Sequence, residues 1–98
     1  MQSNMAEIKQ LLKNNQFYKM QVANGMGGNT LREKLIFIDN AIKALNEQDC
    51  NLIKGIFFDG ISVVKIAESL FIHRVTAYRR ADAIVKNMAK VYEMQFGS

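Results

Sequence analysis

Between Arg74 and Lys90 the chain carries five basic side chains, Arg74, Arg79, Arg80, Lys86 and Lys90, against a single acid, Asp82. The remaining residues hold eight of each sign, so the whole formal net charge of +4 falls within this one stretch. Concentrated cations bind a phosphate backbone by releasing the counterions condensed on it. A guanidinium adds recognition, because it can donate two parallel hydrogen bonds to O6 and N7 of guanine. The chemistry on offer is therefore polyanion binding. The plain alternative is a solvated helix face, which is what most runs of charge are.

Bond-making chemistry finds little to work with. Cys50 and His73 are the only residues of their types, so neither an internal disulfide nor a zinc constellation can form. Cys50 reads as a small core or boundary residue beside an apolar helix face. The acids Glu7, Glu33, Asp39, Glu47, Asp49, Asp59, Glu68, Asp82 and Glu93 are scattered, with no pairing suited to acid–base work. The glycine-rich stretch ANGMGGNT, residues 23–30, lacks the Gly-Lys-Ser or Gly-Lys-Thr ending of a phosphate-binding loop and follows no convincing strand. No enzymatic activity, cofactor or metal is expected.

Helix periodicity sets where the basic residues point. Ser62 is a candidate N-cap, its hydroxyl accepting from a backbone N–H of the first turn. Val63, Ile66, Ala67 and Leu70 then share one helical face, with Ala67 small enough for a close helix crossing. Phe71 to His73 form a turn, with Ile72 returning to the core. In the next helix Ala77, Ala81, Ile84, Met88 and Val91 or Tyr92 make the buried stripe. Turning 100° per residue away from that stripe gives an outer face of Val75, Arg79, Asp82 and Lys86, with Tyr78 and Lys90 beside it. Arg74 and Arg80 flank the stripe, where long stems cover apolar surface and the heads still reach water or a phosphate. A short helix, a tight turn and a longer basic helix form the layout of a helix-turn-helix DNA reader, with Arg79 the best candidate for a guanine.

The preceding residues read as scaffold. A first amphipathic segment, about Asn4 to Val22, carries Met5, Ile8, Leu11 or Leu12, and Phe17 or Tyr18, with a break near Asn14–Asn15. It either packs on the core or pairs with a second copy. After the glycine-rich hinge, Thr30 and Glu33 form a possible capping box. The helix from Leu31 to about Leu45 buries Leu35, Ile38, Ile42 and Leu45, widened by Phe37 and Ala41. Asn46 is the next N-cap, with Glu47 and Asp49 favourable in the first turn. Cys50, Ile53 and Ile56 or Phe57 follow, and Asp59-Gly60 ends that helix. The expected architecture is an all-α, small helical bundle of about five helices with a C-terminal helix-turn-helix. Residues 1–29 would be an N-terminal helix and hinge, and residues 30–96 the helix-turn-helix domain. No apolar run approaches the roughly 20 residues of a membrane span, and the start lacks a signal peptide's apolar core. A soluble, cytoplasmic protein is expected.

From Leu45 onward, LNEQDCNLIKGIFFDGISVVKIAESL followed by IHRVTAYRRADAIVKNMA resembles region 4 of sigma-70-type factors. The chain is also similar to the ArpU-like group of small phage and prophage transcription regulators. That likeness rests on Lys34-Leu35, Ile38, Ala41-Ile42 and Leu45, then Thr76, Tyr78, Arg79, Arg80, Ala83 and Ile84. Two positions depart from the common helix-turn-helix pattern: Phe71 where the turn usually has glycine, and His73 where serine is common. The resemblance implies control of phage or prophage genes through promoter DNA. It implies a base-contacting set of His73, Arg74, Val75, Thr76, Tyr78, Arg79 and Asp82, and phosphate contacts from Lys65, Arg80, Lys86 and Lys90. Double-stranded DNA is the expected partner. Docking on RNA polymerase, a homodimer through the N-terminal helix, and an accessory role in DNA packaging or recombination stay open as alternatives.

Overall fold

A computed structural model describes residues 3–97, all helices and turns. The helices are α1 (Ser3–Lys13), α2 (Asn15–Ala23), α3 (Gly28–Lys43), α4 (Glu47–Ile53), α5 (Val63–Ser69) and α6 (Arg74–Phe96). A π-helical turn, Lys54–Phe58, extends α4. The all-α bundle expected from the periodicity is observed, with six helices rather than about five, because the first segment divides at Asn14. Among the described residues no helix is long and apolar enough to cross a membrane.

α6 is the axis of the bundle. Its buried side chains are Ala77, Ile84, Val85, Met88, Ala89 and Tyr92. Val85 and Ala89 broaden the expected stripe, because α1 covers one side of α6 while α4 and α5 cover another. Val91 correspondingly stays half-exposed, and Tyr92 takes the core position. At the C-terminal end, Phe37, Tyr92 and Phe96 form an aromatic cluster with ring centroids 4.8–5.9 Å apart.

The N-terminal piece expected at 1–29 and the domain expected at 30–96 share one core. Ile8, Leu11 and Leu12 of α1 are buried in the same core as α3, α4 and α6. Burying each such side chain contributes roughly 1.5–3 kcal/mol, so α1 is integral to the bundle. Polar contacts reinforce it. Glu7 Oε2 accepts from Lys34 Nζ of α3 and from the Tyr92 hydroxyl of α6, each at 2.7 Å. The Lys34 hydrogen bond, then that of Tyr92, holds the Glu7 carboxyl below its ordinary pKa. Lys34 is raised in return, chiefly by Glu7.

Local signals explain most boundaries. Asn46 Oδ1 accepts from the Asp49 N–H at 2.8 Å and Ser62 Oγ from the Lys65 N–H at 3.2 Å, so both expected caps form. Gly60, at φ 67°, makes the left-handed turn after the π-helical segment. The capping box at Thr30 and Glu33 does not form. α3 begins three residues before Leu31, its N-cap is Gly27 at φ 83°, and no side chain caps it. Gly28 is left-handed as well, at φ 65°, so two successive glycines set the entry of the chain into α3.

Candidate nucleic-acid interface

The turn between α5 and α6 is a Schellman motif. The Ile72 N–H donates to the Ala67 carbonyl at 3.0 Å and the Phe71 N–H to the Glu68 carbonyl at 3.2 Å. This closure satisfies the last carbonyls of α5 and requires a left-handed residue between them, where glycine is usual. Here that residue is Phe71, at φ 59°, with its ring 94% exposed. Ile72 then packs against the core, as its position predicts.

α6 starts at His73, whose Nδ1 accepts from the Val75 N–H at 3.1 Å. One edge of the imidazole is thus committed to the helix start, and the Nε2 edge is left for other partners. The 23-residue length of α6 places a partial positive charge at this same end.

The outer face of α6 forms as the 100° rotation predicts. Arg74, Val75, Thr76, Tyr78, Arg79, Asp82, Lys86 and Lys90 are all exposed, as is Lys65 on α5. Among the described residues, Arg74, Arg79, Lys86 and Lys90 make no ion pair. Arg80 is placed differently from the expectation. Its guanidinium donates to Asp49 and Gln48 of α4 and is partly buried there. Its charge is neutralised within the fold, so Arg80 braces α4 against α6 and leaves the set of free cations facing outward.

Two cations that sequence reasoning missed join the face. Lys9 and Lys13 of α1 are exposed, and they line a cleft of ≈ 530 Å³ with Tyr78 and Asp82 of α6. The floor of this cleft is apolar, formed by Ile56, Phe57 and Val63 among others. Their spacing of four residues places Lys9 and Lys13 on one side of α1, about 100° round from Ile8 and Leu12. That much was legible. Their proximity to α6 was not, because it depends on how α1 crosses α6.

For the homodimer left open through the N-terminal segment, the two halves of that segment differ. The apolar stripe of α1 is consumed by the core of the same chain. Phe17 and Met20 of α2 do remain exposed.

The chain matches no protein-family model, no curated protein and no solved structure.

Proposed function

We propose that the chain is a sequence-specific, double-stranded DNA-binding regulator that lays the N-terminal half of α6 in the major groove. The observation that carries this reading is the exposed, unpaired basic face of α6 behind a tight α5–α6 turn. Arg74, Val75, Tyr78, Arg79 and Asp82 occupy the half of the helix that can approach base edges. Arg79 is the guanine reader in this arrangement, and Thr76 and Val75 offer methyl groups to thymine. Lys65, Lys86 and Lys90 serve the phosphates, with Lys9 and Lys13 added from α1. The likeness to sigma-70 region 4 and to ArpU-like regulators points to promoter DNA of phage or prophage genes as the target.

The test is selection of bound fragments from sheared genomic DNA at near-physiological salt, followed by titration of the recovered site. Recovery of a shared motif supports the reading. Arg79→Ala should then lose about 1–3 kcal/mol at the preferred site and relax discrimination at one base pair. Uniform recovery of all sequences, or wild-type affinity in Arg79→Ala, overturns the groove assignment. Capture of RNA polymerase by a protein that binds no duplex would move the function to that partner.

A further inference from the structure

The cleft between α1 and the N-terminal half of α6 offers more than a phosphate backbone can use. Lys9 and Lys13 of α1 stand on one side, Tyr78 and Asp82 of α6 on the other, and the floor between them is apolar. Ile56, Phe57, Val63 and Ala81 of that floor are only half-buried, so they keep surface that the fold does not cover. A DNA strand can ride on the two lysines, but it brings nothing apolar to cover the floor. We propose that the cleft binds a small aliphatic monocarboxylate, its head on Lys9 and Lys13 and its tail on the floor, and that this ligand competes with DNA. The site stands apart from the DNA reading, whereas the competition rests on that reading.

Charge and size select this class of ligand. Among the described residues Lys9, Lys13 and Asp82 make no ion pair. Two cations against one acid leave the cleft with an excess of one positive charge, which suits a monoanion. Asp82 repels a second negative charge and so disfavours dicarboxylates and nucleotides. Side chains four apart on a helix have Cβ atoms about 5–6 Å from each other, close enough for both ammonium groups to meet one carboxylate. The volume, ≈ 530 Å³, lies within the roughly 300–1,000 Å³ of small-molecule sites, which are mostly apolar with a few polar groups fixing the head. A second cleft, between α3 and the C-terminal half of α6, has the same volume but no free cation. Its one ionisable residue, Asp49, is paired with Arg80. It can hold a tail and not a charged head.

Competition follows from shared residues. A bound carboxylate takes Lys9 and Lys13 from the phosphates and covers the cleft side of Tyr78 and Asp82, which belong to the reading half of α6. Two phosphate contacts, at about 0.9 each in log–log salt slope, correspond to at least about tenfold in duplex affinity near physiological salt.

Isothermal titration of the full chain with dodecanoate, without DNA, tests the site, and heteronuclear NMR of labelled protein locates it. Saturable one-to-one binding below about 1 mM is expected, with shifts at Val63, Tyr78 and Val85 and none at Ile36 or Val91. Lys9→Ala with Lys13→Ala should weaken it about three- to tenfold, the range for exposed ion pairs. Octanoate, four methylenes shorter, should bind at least about tenfold more weakly. Ala81→Leu fills the floor from a position outside the DNA-contacting set. It should abolish dodecanoate binding and leave duplex binding unchanged, with circular dichroism verifying the fold. Absence of saturation by about 1 mM, shifts centred on Ile36 and Val91, or wild-type affinity in the double lysine variant overturns the site. Dodecanoate that binds there yet leaves duplex affinity within about twofold overturns the competition. A protein that binds no duplex refutes the DNA reading and the competition with it, while the titration still decides the site.

Discussion

Replacing Phe71 with glycine should make the protein more stable. The backbone at Phe71 is left-handed, with φ 59°. A side chain in that conformation brings Cβ against the following carbonyl, a cost of about 1–2 kcal/mol. The ring repays little of it, being 94% exposed. Glycine removes the clash but enlarges the conformational freedom of the unfolded chain, which costs about 0.4–1 kcal/mol. The balance is a gain of roughly 0.5–1 kcal/mol, or about 3–6 °C in Tm for a chain of this length. Thermal and urea unfolding followed by far-ultraviolet circular dichroism measure it. Phe71→Ala is the control, because it removes the ring while keeping the Cβ. It should stay within about 0.5 kcal/mol of the parent, as exposed substitutions do. A Phe71→Gly protein less stable than Phe71→Ala would refute the strain account, and a Phe71→Ala protein well below the parent would show that the ring makes a stabilising contact. A gain in stability accompanied by weaker DNA binding would place the ring at the interface, where strain is retained for function.

Other perturbations probe separate parts of the structure. Glu7 is held below the ordinary carboxylate pKa of 4.5, so its contribution is present above that value and is lost as pH falls through the lower, folded one. Urea midpoints should decline on acidification in that window, and Glu7→Gln should flatten the decline. Lys34 is raised above 10.5, so its contribution persists below that value and disappears only as pH rises through the folded one. Gly55→Ala should cost about 1–3 kcal/mol in urea unfolding, because the new Cβ would overlap the Ile66 side chain where α5 crosses the π-helical turn. Ile66→Val in the same chain should recover part of that loss. Lys9→Ala with Lys13→Ala should lower the salt dependence of duplex binding by about 1.8 in log–log slope, at about 0.9 per phosphate contact. An unchanged slope would remove α1 from the interface. Arg80→Ala should act mainly on stability, and an effect on DNA affinity as large as that of Arg79→Ala would contradict its pairing with Asp49.

What could be read from the sequence follows from how local each feature is. The caps at Asn46 and Ser62 and the left-handed Gly60 are settled by neighbours within four residues, and periodicity alone orients α6. Gly27 overrode the Thr30–Glu33 capping pattern because a left-handed glycine can begin a helix without a side-chain cap. The burial of Val85 and Ala89 escaped a single-stripe reading, since α6 is covered from several directions and one helical face no longer describes it. The same non-local packing separates Arg79 from Arg80. The two residues are adjacent and chemically identical, and rotation alone gave both a route to DNA. Asp49, more than thirty residues earlier in the chain, draws Arg80 inward and leaves Arg79 free. Charge counting along the chain therefore overstates what α6 offers to a phosphate backbone by one cation, while the crossing of α1 supplies two that it omits. The exposed cations that could address DNA are thus Arg74, Arg79, Lys86 and Lys90 of α6, Lys65 of α5, and Lys9 and Lys13 of α1. Only Lys9 and Lys13 are seen to stand with α6 residues, around the cleft they share with Tyr78 and Asp82, so on that side the charged surface is drawn from two helices.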